Sequence, residues 1–104
     1  ATGPTRVIYL FEYDSSSVPE TSELTAIADK AKKAGFTLDV KAYTDEHGRL
    51  AYNKRLSERR ARAIGDYLIA HGVPASKVSI HGMGPTHAFA NDAQDRRAEV
   101  VIVK

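Results

Sequence analysis

YTDEHGRLAYNKRLSERRARAIGDYL, residues 43–68, joins a polar loop to a helical repeat whose apolar side is interrupted by charge. At about 100° per residue, Leu56, Ala63, Ile64, Tyr67 and Leu68 share one stripe. Arg60, four residues after Leu56 and four before Ile64, falls in the middle of that stripe, and Asn53 falls three residues before Leu56. Two readings of Arg60 are open. An arginine can lay its stem on apolar surface and keep its head in water or on a carboxylate, a purely structural role. Alternatively, the carboxylate of Asp45 in the preceding loop, the Asn53 amide and the Arg60 guanidinium converge on one pocket. Such a pocket offers an anion site beside a cation site and matches a group bearing an ammonium and a carboxylate on one carbon.

Working outward, the helix is predicted over 50–70 and ends at His71-Gly72 with Pro74 beyond. TDEHG (44–48) is its preceding loop, with Gly48 as the turning residue. TLDVKAY (37–43) alternates Leu38, Val40 and Ala42 with polar neighbours and reads as a half-buried strand, Asp39 and Lys41 facing water. RVIYLFEY (6–13) is a β-branched and aromatic strand. Ser17 and Glu20 have capping-box spacing around Pro19, and Leu24, Ile27, Ala28 and Ala31 recur at helical spacing up to Gly35. KVSIHG (77–82) and AEVVIVK (98–104) are strands joined by a connection rich in Gly, Pro, Thr, His and Asn. The order β-α-β-α-β-β predicts an α+β two-layer sandwich, two main helices on one face of a mixed sheet.

The 104 residues fit a single domain, 1–104, long enough to bury a core. With 42% hydrophobic and 27% charged residues, wholesale disorder is not expected. The absence of cysteine removes disulfides and thiolate metal sites. A net charge of +2 does not force a nucleic-acid reading, and no apolar run reaches the roughly 18 residues of a membrane span. The opening ATGPTR lacks secretion-signal character, so the chain reads as an excised domain or a mature form, any signal or anchor lying outside it.

Thr44-Asp45, Gly48, Tyr52-Asn53, Leu56-Ser57, Arg59-Arg60-Ala61, Gly72, Gly82, Gly84 and Asp95-Arg96-Arg97 together resemble the pattern of the OmpA-like peptidoglycan-binding domain. That family includes the outer-membrane protein A C-terminal domain, the peptidoglycan-associated lipoprotein and MotB. Phe11-Glu12-Tyr13-Asp14-Ser15 is similar to the end of the family's first strand, so the resemblance covers nearly the whole chain. It implies that Asp45 contacts the ammonium of diaminopimelate in a stem peptide and Arg60 its carboxylate. It implies further that Asn53 lines the pocket, that Tyr13 and Asp14 contribute mainly backbone contacts, and that one of Arg96 and Arg97, taken as Arg96, lies near the ligand. Arginine suits the carboxylate because its planar fork fixes orientation. Ala42 stands where the family often has glycine, Tyr43 where it often has histidine, Glu12 for aspartate, Asp95 for asparagine and Ala98 for valine. None of these touches the three pocket residues.

Arg55, Arg59 and Arg62, with Glu58 among them, fall on the helix face away from the stripe and read as a solvated surface or a soft contact to anionic cell wall. His47, His71, His81 and His87 show no metal-ligand spacing, although His47 borders the pocket. Ser15, Ser16 and Ser17 precede a helix, where serines cap rather than attack. The expectation is a non-enzymatic module without cofactor or metal. It anchors an envelope protein to peptidoglycan in the periplasm, with tethering to the outer membrane through a segment outside this chain. Envelope proteins are possible further partners, and nucleic acid is not. Arg60→Ala is expected to abolish ligand binding with the fold largely intact. The competing reading is a protein-interaction domain that keeps the fold without the ligand.

Overall fold

The computed structural model describes residues 5–89 and 91–103. The ends of the opening segment and of the last strand, Ala1–Pro4 and Lys104, lie outside the described residues, as does Ala90 in the connection. In chain order the elements are β1 (Arg6–Leu10), α1 (Ser22–Ala34), β2 (Thr37–Thr44), α2 (Leu50–Ala70), a 3-10 turn (Ala75–Lys77), β3 (Val78–Pro85), a short α3 (Asp92–Asp95) and β4 (Arg97–Val103). The expected α+β order is present, with α3 added.

The four strands form one mixed sheet in the order β1-β4-β2-β3. β2 and β3 run parallel, while β4 is antiparallel to both β1 and β2, pairing Val7 with Val100 and Ala42 with Ala98. Alternation in β2 follows from the period of two: Leu38, Val40, Ala42 and Thr44 are buried, whereas Lys41 is exposed. Their buried partners come from α1 (Leu24, Ile27, Ala28, Ala31) and α2 (Leu56, Ile64, Leu68). Ala63 and Tyr67, placed by periodicity on the same stripe, are only half-buried at its edge.

β1 stops at Leu10, three residues before its predicted end. Phe11 still donates its N–H to the Arg96 carbonyl at 2.7 Å, but the Ser15 N–H then turns back on the Glu12 carbonyl and Asp14 takes a left-handed φ of 57°. The expected capping box at Ser17 and Glu20 is also not the one used. Thr21 caps α1, its hydroxyl accepting the Leu24 N–H at 3.1 Å. A tertiary contact accompanies this start: the Tyr67 hydroxyl of α2 accepts the Thr21 N–H and donates to Glu20. α3 went unpredicted although Asn91 and Gln94 have capping-box spacing; Asn91 accepts the Gln94 N–H at 2.9 Å.

α2 lies unusually close to β3. A Cβ on Gly82 would stand 2.6 Å from the Glu58 backbone nitrogen, so only glycine permits the approach. This contact brings the start of α2 over the C-terminal end of β2, where the site lies.

Candidate functional site

Four segments meet beyond the end of β2: the 11–15 turn, the 44–48 loop, the first half of α2, and the junction of α3 with β4. They enclose a cavity of about 110 Å³. That is room for a few water molecules or one amino-acid head group, well below the ~300–1,000 Å³ of sites that take drug-sized ligands. Its walls include all six residues singled out in the sequence: Tyr13, Asp14, Asp45, Asn53, Arg60 and Arg96. Arg97, one residue on, turns away. It donates to the Gln94 carbonyl, pairs with Glu99 at 2.9 Å and places its guanidinium 3.7 Å from the Phe89 ring centre.

Arg60 is completely buried. Its Nε donates to the Ser15 carbonyl at 2.7 Å, one terminal nitrogen to the Tyr43 carbonyl at 3.0 Å and the other to the Glu12 carbonyl at 3.1 Å. The guanidinium also sits 4.9 Å from the Phe11 ring centre. Burial lowers its pKa to about 10, against a smaller favourable effect of Asp45, so it remains a cation at neutral pH. A guanidinium has five N–H donors. Three are engaged by main chain, leaving one on each terminal nitrogen.

The structure adds two details about this arginine. Asp45 and Arg60 share the cavity, but the carboxylate's ion-pair partner is Arg96, at 3.0 Å. The other Asp45 oxygen accepts the His47 N–H at 3.1 Å. Arg60 also ties the 11–15 turn to the end of β2 through its three carbonyl partners. The structural and the binding readings therefore do not exclude each other: one side chain has donors for both.

Asn53, buried on the first turn of α2, donates its amide to the His47 carbonyl at 2.7 Å and so shapes the 44–48 loop. Tyr52 and His47 also line the wall, with Thr44, Gly48 and Leu56. The Tyr52 hydroxyl donates to Asp14, and this contact raises the tyrosine's pKa. His47 pairs with Asp92 at 2.7 Å, which raises its pKa, and His87 meets Glu46 at 3.0 Å, so two histidine–carboxylate contacts join the 44–48 loop to the 86–92 connection. The Arg96–Asp45 pair spans 51 residues, and no spacing signal announces it. Among the described residues no group of three or more His, Cys, Asp or Glu is placed to hold a metal ion, and no helix is long and apolar enough to cross a membrane. Arg55, Glu58, Arg59 and Arg62 are exposed on the outer face of α2.

A cavity this small, with fixed cationic and anionic walls, is suited to holding a charged head group. The Ser15 hydroxyl accepts the Ser17 N–H in a local turn.

The family model of the OmpA family matches residues 10–101, and the chain belongs to that family. Outer membrane protein A of Shimwellia blattae is 34% identical over 92 residues, covering 83% of this chain and 38% of the relative. Outer membrane protein A of Klebsiella pneumoniae is 46% identical over 56 residues, covering 54% of this chain and 16% of the relative. The matches thus span well under half of these relatives' lengths. Among solved structures, the peptidoglycan-associated lipoprotein of Burkholderia pseudomallei superposes with a TM-score of 0.83 at 28% identity, over 92% of this chain and 89% of that one. The cell wall anchor of the T6SS from Pseudomonas aeruginosa gives 0.73 at 26% identity, over 95% and 82%.

Proposed function

We propose that this chain, as one module, binds peptidoglycan non-covalently by holding the diaminopimelate of an uncrosslinked stem peptide, and so tethers an envelope protein to the cell wall in the periplasm. The observation that carries the reading is Arg60: completely buried against the cavity, anchored by three main-chain carbonyls, and left with one N–H on each terminal nitrogen. Those two donors are what a carboxylate needs for a bidentate, charge-assisted contact. Asp45 supplies the complementary site for the ammonium, Asn53 shapes the loop between them, and Tyr13 and Asp14 border the mouth. Family membership and the likeness to a peptidoglycan-associated lipoprotein and a cell wall anchor support the same direction. The module works by recognition and needs no cofactor; its tether to the outer membrane is a part of the parent protein beyond this chain.

The test compares two soluble stem peptides by calorimetry, one with meso-diaminopimelate and one with lysine in its place. Lysine keeps the ammonium and lacks the carboxylate assigned to Arg60. A charge-assisted contact contributes about 1.5–3 kcal/mol, so the lysine peptide should bind at least tenfold more weakly. Equal affinities would sink the assignment of Arg60. Binding of neither peptide by folded protein would leave a protein-interaction domain as the better reading.

A further inference from the structure

We propose that Arg96 is an internal stand-in for the ligand's ammonium, so that the site binds by exchanging one cation for another. The inference rests on the peptidoglycan reading above and deepens it by assigning Arg96 a role in specificity instead of a contact to the ligand.

Asp45 is 3% exposed and both of its oxygens are occupied: one by the His47 N–H, the other by the Arg96 guanidinium at 3.0 Å. An incoming ammonium therefore finds no idle carboxylate: with Asp45 almost fully buried and already paired, it competes with Arg96 for the same oxygen. The two guanidiniums facing the cavity are built differently for this purpose. Arg60 has three bonds to carbonyls and no exposure. Beyond Asp45, Arg96 has one long bond, from its Nε to the Phe11 carbonyl at 3.3 Å, and the Tyr13 ring at 6.0 Å. Its side chain is 20% exposed, and Tyr13 lies largely in solvent, so the guanidinium can swing outward along that ring without burying a charge.

The charges support exchange. Asp14 and Asp45 balance Arg60 and Arg96 around the cavity, and a zwitterion leaves that balance unchanged. For a lone amine, capture by Asp45 is set against loss of the Arg96 pair, and nothing else is gained. For a zwitterion the carboxylate's contact with Arg60 is added. Arg96 thus raises the threshold against simple amines, the repulsive half of a specificity device.

The experiment uses wild type, Arg96→Gln and Arg96→Lys, each checked by circular dichroism for native fold. The first probe is methylammonium, followed at the His47 amide, whose N–H rests on Asp45. Arg96→Gln should reach half-saturation at a concentration at least tenfold lower than wild type, while Arg96→Lys, which keeps a cation, should stay near wild type. Equal behaviour of Gln and wild type would overturn the proposal, and this arm stands whether or not any peptide binds. The second arm titrates the two stem peptides. Arg96→Gln should bind both more tightly, and the wild-type Arg96 Nε–H resonance should move toward that of a solvated arginine as the diaminopimelate peptide binds. Weaker peptide binding by Arg96→Gln, or an Arg96 resonance that stays in place, would mean that Arg96 holds the ligand directly or never leaves Asp45, and either overturns the exchange. Wild type that binds no peptide refutes the function above, and leaves the counter-ion role to be decided by methylammonium.

Discussion

The floor of the cavity and its rim are held by different kinds of bond. On the floor, Arg60 fastens the 11–15 turn and the end of β2 through backbone carbonyls, with α2 pressed against β3 at Gly82. At the rim, side chains meet side chains: Arg96 on Asp45, His47 on Asp92, His87 on Glu46, Tyr52 on Asp14. Main-chain partners cannot rotate away, whereas side chains can exchange partners, at little cost where both are exposed, as in His47–Asp92 and His87–Glu46, and at a higher cost where one is buried, as in Arg96–Asp45. The contrast teaches how one small site can be preorganised for a carboxylate and yet accessible: rigidity lies where the anion is to be held, and adjustability where the ligand must enter.

The largest effect that tests this contrast is the loss of Arg60. Arg60→Ala takes a donor from three carbonyls, of which that of Glu12 keeps the Ser15 N–H, and empties the volume of a completely buried side chain; a buried carbonyl left unpaired costs about 1–3 kcal/mol. With incomplete additivity we expect destabilisation of about 3–5 kcal/mol, a large part of a typical domain's total. Urea denaturation measures it, and a loss under 1 kcal/mol would mean that the floor is not built on this arginine. Next comes Gly82→Ala, which forces α2 away from β3 and should cost about 1–3 kcal/mol; an unchanged urea midpoint would show that the helix can retreat freely.

The smallest effect belongs to the rim. The hydrogen bond to Asp92, then the charge of that carboxylate and of Asp45, raise the pKa of His47. The folded state therefore holds this proton more tightly than the unfolded chain. The resulting stabilisation is complete below the unfolded value near 6.5 and disappears as pH rises through the higher folded value. The urea midpoint of wild type should fall slightly over that window, and Asp92→Asn should flatten the fall. A steeper slope in the variant would place the titration elsewhere.

Much of this arrangement was legible in the sequence, and the reason differs by element. α2 was bounded correctly at 50–70 because a long periodic segment with a clear stop carries many independent signals. The interruption of its stripe by Asn53 and Arg60 pointed to the cavity that both residues line. The start of α1 was misplaced because Thr21, and not Ser17, caps it, and the Thr21 N–H is in turn held by Tyr67, more than 40 residues away, a contact no local pattern announces. The position of β4 between β1 and β2 is likewise not a local property, and the pairing of Arg96 with Asp45 follows from it. Arg60 was legible as an anomaly but not as a keystone, since its three acceptors are carbonyls, and every residue has one.

The strand order has a consequence for how the site comes into being. β4 is the last strand among the described residues, yet it lies between β1 and β2. Until it arrives, β1 has no neighbour in the sheet, and the turn after β1 lacks the Arg96 carbonyl to which Phe11 donates. On a ribosome, where the chain emerges from its first residue onward, nearly the whole domain is outside before either ladder of β4 can close. Such non-local closure makes folding slow and keeps partly assembled sheets adhesive. Closing the cavity thus depends on β4: the Arg96–Asp45 pair and the Phe11–Arg96 bond both need the last strand's start in place, whereas the β2–β3 ladder does not.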